Sequence, residues 1–276
     1  CGYAVFALQD GYIQTTQSTG YKFPILDNNG NPTSTIVDMS DIFVRKELFL
    51  NAGLWACGYN DKGQLANSNV INYSSPVQIG SLSNWKQVSS TINSYPSTLA
   101  TKTDGTLWAW GYNSVGQLGN SSSSLSMYYS SPIQIGSLTG WKQVSILNRA
   151  MAAIKIDGSL WMCGDNSSGT LGNGTTINYS SPIQVGSLTD WNQVSTHKQC
   201  LSVKKDGTLW GWGDNTNGSL GNGTTANYSS PIQIGSNTYW RQVVCGYNYS
   251  VAVKTDGTLW AWGDNSNGTL GNGTNV

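Results

Sequence analysis

Charged residues are scarce in this chain. Asp, Glu, Lys and Arg make up only 10% of its 276 residues, and 14 basic residues balance 14 acidic ones, whereas soluble domains average about 25% charged residues. A chain without net charge lacks the electrostatic field that draws a protein to nucleic acid or to an anionic membrane surface. We therefore expect it to bind no nucleic acid.

Long apolar runs are missing as well. The most apolar clusters, 42–44 and 48–50, are separated by three charged residues, and no segment approaches the roughly 18 apolar residues of a membrane-spanning helix. We expect no membrane insertion. The 12 Trp and 14 Tyr side chains nevertheless supply enough area for a packed core, since each removes about 150–250 Å² from water when it is buried.

Metal-binding patterns are also absent from the sequence. His197 is the single histidine, and no C-x-x-C pair is present to hold zinc. The loops that begin at Asp165, Asp214 and Asp264 depart from the calcium-binding EF-hand in the position of their glycine and in lacking its glutamate. We therefore expect these carboxylates to stabilise turns. The five cysteines form no disulfide framework, which predicts free thiols.

Catalytic patterns have no better support. A Ser-His-Asp triad would depend on His197 alone, without a G-x-S-x-G element beside it. The glycine-rich steps lie between strands rather than before helices, which does not fit a P-loop or a dinucleotide site. We predict no enzyme activity, no cofactor and no metal.

Three markers recur along the chain in a fixed order. The first, D-G-[TS]-L-W, begins at Asp104, Asp157, Asp206 and Asp256, at intervals of 49 to 53 residues, and a relaxed copy begins at Asn51. The second, S-S-P-[IV]-Q-[IV]-G, has its proline at 76, 132, 182 and 231, and the third, W-x-Q-V, begins at 85, 141, 191 and 240. Repeats of roughly 40–50 residues indicate a propeller or an array of stacked units.

Each repeat contains four segments that favour short strands. They are the proline-led P-[IV]-Q-[IV], the alternating W-x-Q-V, the β-rich stretch before Asp-Gly, and T-L-W-x-W after it. Asp-Gly between the last two predicts a tight hairpin, for which a type I′ turn is typical. In T-L-W-x-W the two Trp positions share one face of the strand. The sequence therefore predicts an all-β fold with one four-stranded antiparallel sheet per repeat.

The first 50 residues follow this pattern less regularly. The opening stretch parallels the one that ends at Asp256-Gly257, with Asp10-Gly11 as its hairpin, so the chain enters the pattern at the third strand of a repeat. Segments 24–26 and 37–40 read as a worn first and second strand. We therefore divide the chain into 1–50, a degenerate hairpin and worn repeat, and 51–276, the tandem repeats. Both parts belong to one domain that we expect to be incomplete at both ends.

A family resemblance becomes specific over residues 104–119. Their sequence D-G-T-L-W-A-W-G-Y-N-S-V-G-Q-L-G, followed by S-P-I-Q-I and W-K-Q-V, resembles the regulator-of-chromosome-condensation repeat. Cys245 to Ser250 resembles the family's C-G-x-x-H-[ST] element, with Tyr249 where histidine is common. The resemblance covers 51–276 well and 1–50 poorly. It implies a β-propeller of four-stranded antiparallel blades. This chain shows five full repeats and a partial one, and we expect six or seven blades in the intact protein.

Two sets of aromatic residues recur with the repeats. The first Trp of W-x-W is expected to pack between neighbouring blades as the repeat core, and the set comprises Trp55, Trp108, Trp161, Trp210 and Trp260. Tyrosines among the Asn, Ser and Thr of the loops are the candidate partner-contact residues, namely Tyr73, Tyr128, Tyr129, Tyr179 and Tyr228. A neutral surface of amides, hydroxyls and aromatic rings suits contact with glycans or with other proteins.

Two functional hypotheses remain open. The first is a non-catalytic interaction module that serves as a structural, decoration or adhesin component of a phage virion or a bacterial cell surface. Its repeated loops would contact surface glycans or other proteins of a larger assembly several times over, as part of a homo-oligomer or particle outside the cell. The alternative, implied by the resemblance, is a soluble cytoplasmic regulator that binds a partner with one propeller face, in the manner of a GTPase exchange factor or an enzyme inhibitor.

Overall fold

The described part of the chain is built from β-strands throughout. A computed structural model describes residues 53–275 except 82–83, 92–94 and 126, together with the backbone of five short strands near the N-terminus. These five are β1 (Ala4–Val5), β2 (Ala7–Gln9), β3 (Tyr12–Gln14), β4 (Phe23–Leu26) and β5 (Pro32–Val37). Within the described ranges, no helix is long and apolar enough to cross a membrane.

Five larger sheets follow one another along the chain. Sheet I joins β1 to β6 (Trp55–Gly58) and β7 (Tyr73–Gln78). Sheet II contains β8 (Trp85–Ser90), β9 (Ser97–Lys102), β10 (Leu107–Tyr112) and β11 (Tyr128–Gln134). Sheet III contains β12 (Trp141–Leu147), β13 (Ala150–Lys155), β14 (Leu160–Gly164) and β15 (Tyr179–Gln184).

The last two sheets repeat this plan. Sheet IV contains β16 (Trp191–Thr196), β17 (Gln199–Lys204), β18 (Leu209–Gly213) and β19 (Tyr228–Gln233). Sheet V contains β20 (Trp240–Cys245), β21 (Tyr249–Lys254) and β22 (Leu259–Gly263). Sheets II, III and IV are four-stranded, antiparallel and ordered as in the chain. The predicted all-β propeller of four-stranded blades is thereby confirmed.

The register of each sheet follows from its motifs. In sheet III, Val144 lies opposite Ala153, Ala153 opposite Trp161, and Trp161 opposite Gln184. The pairing shifts by one residue between Trp141 and the Gln of W-x-Q-V, and the same shift recurs in sheets II, IV and V. Such bulges re-aim the side chains beside them, and in sheets II to IV the Gln reaches the neighbouring sheet.

The Asp-Gly hairpins are present, but their turn type differs from the prediction. Gly207 donates its N–H to Lys204 O at 3.0 Å, and Lys204 donates its N–H to Thr208 O at 3.0 Å, which makes a three-residue loop. Gly207 has a φ of 81°, whereas Asp206 lies outside the left-handed region that a type I′ turn would require of it. Asp206 Oδ1 instead accepts the N–H and the hydroxyl of Thr208 at 2.9 and 2.7 Å. These two bonds favour a turn with a glycine bulge, because they hold Asp206 out of the left-handed conformation.

The N-terminal strands match the prediction in part. β2 pairs with β3, with Gln9 opposite Tyr12, so two antiparallel strands flank residues 10–11. β4 pairs with β5, so the expected strand at 24–26 is present, while 38–40, Cys1 and residues 10–11 lie outside the described residues. β1 pairs with β6 in sheet I, and the division at residue 50 stays a prediction.

Apolar clusters between successive sheets form the core. In β14, Leu160 and Met162 pack with sheet IV, whereas Cys163 packs with sheet II, and all three are fully buried. Burying one such side chain contributes about 1.5–3 kcal/mol. Sheet III is therefore packed against a neighbouring sheet on both of its faces. The described cysteines Cys57, Cys163, Cys200 and Cys245 are free thiols, as predicted.

A ladder of glutamine side chains joins the W-x-Q-V strands of neighbouring sheets. Gln143 Nε2 donates to Val194 O at 3.1 Å, and its Oε1 accepts the Val194 N–H at 3.2 Å. Gln87 makes the same pair of bonds to Val144, and Gln193 makes it to Val243. A side-chain amide has one donor group and one acceptor, so it can satisfy both backbone groups of a residue in the next sheet.

Buried asparagines organise the loops that leave the W-x-W strands. Asn215 Oδ1 accepts the Leu220 N–H at 2.8 Å, and its Nδ2 donates to Thr224 O at 2.9 Å. These loops cross onto the outer strand of the next sheet, where a Cβ on Gly169 (φ 79°) would lie 2.6 Å from Ser229 Cα. Glycine is required at such a position because any side chain would collide with the neighbouring backbone.

Candidate partner-binding face

One edge of the propeller carries residues that differ from repeat to repeat. The turns between the first and second strands of sheets II to V connect Ser90 to Ser97, Leu147 to Ala150, Thr196 to Gln199 and Cys245 to Tyr249. We call these turns, together with the start of each loop after W-x-W, the turn face. The Asp-Gly hairpins lie at the opposite ends of the same strands and define the hairpin face.

The two faces differ in how uniform their sequences are. All four complete hairpins carry Asp-Gly followed by Thr or Ser. The turns instead carry Tyr95 in sheet II, Asn148-Arg149 in sheet III, His197-Lys198 in sheet IV and Tyr247-Asn248 in sheet V. The strands that precede the turns share W-x-Q-V, whereas the strands that follow them also differ from sheet to sheet. Turns that vary among the repeats, opposite hairpins that do not vary, make this face the candidate recognition surface.

A cavity of about 520 Å³ opens on the turn face. Its aromatic and charged lining comes from sheets II to V and consists of Tyr95, Arg149, Asp165, His197, Lys198, Asp214 and Tyr247. Serine and threonine hydroxyls from the loop of sheet III complete the wall. The cavity is therefore a single asymmetric site rather than a feature repeated once per blade.

Arg149 occupies one side of the cavity. Its guanidinium carbon lies 4.7 Å from the centre of the Tyr95 ring, and Tyr95 stacks in turn on Tyr112 at 5.7 Å. NH1 lies 3.6 Å from Asp165 Oδ2, and NH2 donates to Ser114 Oγ at 3.4 Å. The aromatic pair holds the cation in place, while its contacts to oxygen atoms remain long.

His197 and Lys198 occupy the other side. Lys198 Nζ lies 3.2 Å from Tyr247 Oη and 4.5 Å from the centre of the Tyr247 ring, which His197 meets edge-on at 5.4 Å. The Lys198 N–H donates to His197 Nδ1 at 2.9 Å, so the ring proton lies on Nε2. Burial, together with the nearby Lys198 charge, lowers the pKa of His197 to about 4. His197 is therefore neutral at physiological pH.

The carboxylates of the turn face stabilise their own loops. Asp165 Oδ1 accepts the Ser167 N–H at 3.0 Å, Asp214 Oδ1 accepts the Thr216 N–H at 3.0 Å, and Asp264 Oδ1 accepts the Ser266 N–H at 2.9 Å. These bonds confirm the predicted turn-stabilising role. Within the described ranges, no group of three or more His, Cys, Asp and Glu side chains is placed to hold a metal ion.

The predicted contact tyrosines lie away from this cavity, at or near the start of the outer strands. Tyr179 and Tyr228 pack against the cluster between sheets III and IV, Tyr129 packs against the cluster between II and III, and Tyr73 packs against the one between I and II. Tyr128 is 45% exposed. Their contact with a partner stays a prediction. Sequence reasoning missed Arg149, His197, Lys198 and Tyr247, although a comparison of the repeats with one another would have revealed their variety.

The structure assigns different roles to the two Trp positions of W-x-W. The first position carries Trp108, Trp161 and Trp210, which are partly buried beside the clusters between sheets. The Trp210 indole donates to Thr208 Oγ1 at 2.9 Å, and Lys204 Nζ lies 4.1 Å above the Trp210 ring. The second position is fully buried in Trp212, whose indole crosses to Thr170 O in the preceding sheet at 2.8 Å.

Two of the predicted core tryptophans are not core residues. Trp55 and Trp260 are 42% and 48% exposed. Among the described strands, none pairs with the outer side of Trp260, whereas Trp161 and Trp210 face Gln184 and Gln233 on their outer strands. Trp55 lies in sheet I, whose described strands include no W-x-Q-V strand to supply a second indole. The prediction was wrong for these two because burial at this position requires a complete sheet.

Comparison with known proteins identifies the class. The model of the regulator of chromosome condensation (RCC1) repeat matches residues 51–91, 104–146, 157–200 and 206–253, and a second RCC1 repeat model matches 240–269. These matches cover more than half of the chain, which therefore belongs to the RCC1 repeat family.

Solved structures confirm the fold. Human WBSCR16 is similar with a TM-score of 0.69 at 21% identity, over 81% of this chain and 60% of that protein. Yeast RCC1 (Prp20) is similar in two crystal structures, with TM-scores of 0.66 and 0.64 at 20% and 16% identity, over 80% and 91% of this chain. The chain covers 54% and 63% of the Prp20 chains. It thus spans less than two thirds of the length of each of these structures.

Proposed function

We propose that this protein is a non-catalytic interaction module that binds a partner protein with its turn face. The observation that carries the proposal is the 520 Å³ cavity on the turn face, which is lined by turn residues that differ from sheet to sheet. Membership of the RCC1 repeat family supports it. Prp20 has been crystallised bound to Kap60, and its binding to Gsp1p and histones has been described, so a related propeller serves as a platform for proteins.

Two settings for this module are proposed. In the first, the protein is a structural, decoration or adhesin component of a virion or a bacterial cell surface, where loops rich in Asn, Ser and Thr contact other proteins or glycans. In the second, it is a soluble cytoplasmic regulator that binds one partner. The single asymmetric cavity supports the second setting, because identical loops around the ring would instead present the same site several times.

Capture of partners by variants of the two faces tests the proposal. The full chain, its Tyr247→Ala variant and a Lys205→Ala control on the hairpin face are immobilised and exposed to an extract of the source. We expect a partner that binds the wild-type chain and the control but is lost from Tyr247→Ala. Equal capture by all three would contradict a role for the turn face.

The mass of the purified protein separates the two settings. Light scattering after size exclusion is expected to show a monomer that forms a one-to-one complex if the protein is a regulator. A large symmetric assembly, or retention on a glycan array, would favour the surface setting.

A further inference from the structure

The turn-face cavity holds more hydrogen-bond donors than its own residues use. Arg149 has five N–H donors, yet its contacts to oxygen measure 3.4 and 3.6 Å, whereas charge-assisted bonds usually measure about 2.7–2.9 Å. Its Nε is buried and makes no hydrogen bond. A buried N–H of a cation without a partner is costly, so this guanidinium has capacity for a further acceptor.

The opposite wall of the cavity also has hydrogen-bond donors that its own residues do not use. Lys198 Nζ lies 3.2 Å from the phenol oxygen of Tyr247. It forms no ion pair with a carboxylate among the described residues. The neutral His197 ring accepts at Nδ1 and therefore offers its Nε2–H as a donor. Two cations and one imidazole N–H thus line one cavity, from sheets III and IV.

The acceptors of the cavity are engaged more fully. One oxygen of Asp165 accepts the Ser167 N–H, and its other oxygen faces Arg149. Asp214 Oδ1 accepts both the N–H and the hydroxyl of Thr216, at 3.0 and 2.9 Å. A basic ligand would also find the faces of Tyr95 and Tyr247 covered by Arg149 and Lys198.

We infer, on the basis of the proposed function, that the cavity binds a carboxylate on an acidic side chain of the partner protein. The carboxylate would accept from the Arg149 guanidinium, the Lys198 ammonium and the His197 Nε2–H. A singly charged carboxylate suits the site better than a phosphate dianion, because Asp165 and Asp214 stand at the same cavity and repel the second charge. Asp214 pairs with no cation among the described residues. Its negative charge therefore lowers the affinity of the cavity for the carboxylate.

Titration of the isotope-labelled full chain with defined peptides tests this inference. The probes are a hexaglutamate peptide, a hexaglutamine peptide, a hexalysine peptide and inorganic phosphate, at equal ionic strength. We expect hexaglutamate to shift the Nε–H resonance of Arg149 and the amide resonance of Lys198, and hexaglutamine and phosphate to leave them in place. Lys198→Gln is expected to weaken hexaglutamate binding about tenfold, the loss of one charge-assisted contact, whereas Asp214→Asn strengthens it severalfold.

Lys205→Gln on the hairpin face is the matched control, because it removes one positive charge far from the cavity and should leave binding unchanged. Equal weakening of hexaglutamate binding by Lys205→Gln would contradict the inference, because the peptide would then respond only to the overall charge of the protein. An equal response to phosphate would contradict it too, because the cavity would then bind any anion. Binding of hexalysine that is lost in Asp214→Asn would overturn the inference while leaving the turn face as the interaction surface. A separate result would contradict the proposed function itself, namely that the natural partner binds every turn-face variant as tightly as it binds the wild-type chain.

Discussion

Sheets IV and V share the segment D-G-T-L-W-x-W-G-D-N and bury it very differently. Leu209 and Leu259 both follow D-G-T, yet Leu209 is 1% exposed and Leu259 is 69% exposed. Gln193 bridges to Val243 in the next sheet, whereas Gln242 is exposed. A motif thus decides which face of a strand a side chain occupies, and the neighbouring sheet decides whether that face is buried.

Truncating the two leucines gives the sharpest contrast. Leu209→Ala should lower the free energy of unfolding by about 3 kcal/mol, since it leaves a cavity between packed sheets. Leu259→Ala should change it by less than about 0.5 kcal/mol, as expected for an exposed position. Urea unfolding of the two variants measures both values. Equal losses would show that the flank of sheet V is covered in solution.

Removing the glutamines tests the ladder between sheets. Gln193→Ala leaves the N–H and C=O of Val243 without their side-chain partner, and we expect a loss of about 2 kcal/mol. Gln242→Ala should have no measurable effect. Hydrogen exchange at the Val243 amide provides a local readout, which should accelerate in the first variant alone. Unchanged exchange in Gln193→Ala would mean that the side-chain bonds add nothing to the backbone packing.

Sheet IV has the partly buried His197 in its turn, whereas sheet V has Tyr247 at that place. Acid titration tests how His197 affects stability. Because the pKa of His197 falls from 6.5 to about 4 on folding, the unfolded chain binds the proton more tightly between these values. Stability should therefore fall as the pH drops through this window, by roughly 2 kcal/mol for a partly exposed ring. Thermal melts at stepwise pH measure the loss, and His197→Gln should remove it.

The Asp-Gly turns should behave alike in both sheets. Thr208 and Thr258 donate their hydroxyl and N–H to Asp206 and Asp256, which lowers the pKa of both carboxyls. These bonds are local, so Asp206→Ala and Asp256→Ala should each cause a small loss of stability, of equal size and below the effect of Gln193→Ala. A much larger loss in sheet IV, seen in urea unfolding, would show that the turn also depends on the neighbouring sheet.

Much of the fold was predictable from local patterns. The Asp-Gly hairpins, the four strands of each repeat and the turn-stabilising role of Asp165, Asp214 and Asp264 depend on residues close together in the chain. The exposure of Trp55 and Trp260 was not predictable in this way. It depends on whether an outer strand or a second indole lies beside them, and the W-x-W motif is the same in either case.

The candidate site was the least predictable part of the molecule. Its residues come from four turns about 50 positions apart, and each turn taken alone looks like an ordinary loop. Tyrosines were chosen instead because they recur with the repeat, whereas Arg149, His197 and Lys198 in the cavity do not recur.

The sequence by itself determined the repeat period, the strands, their hairpins and the face on which each side chain stands, because spacing and turn chemistry act over a few residues. The tertiary structure alone decided which turns meet, which leucines and tryptophans are buried, and that Arg149 and Lys198 face one cavity. Those outcomes depend on contacts between neighbouring sheets, and the energy of such contacts comes from groups that are remote in the chain and adjacent only after packing.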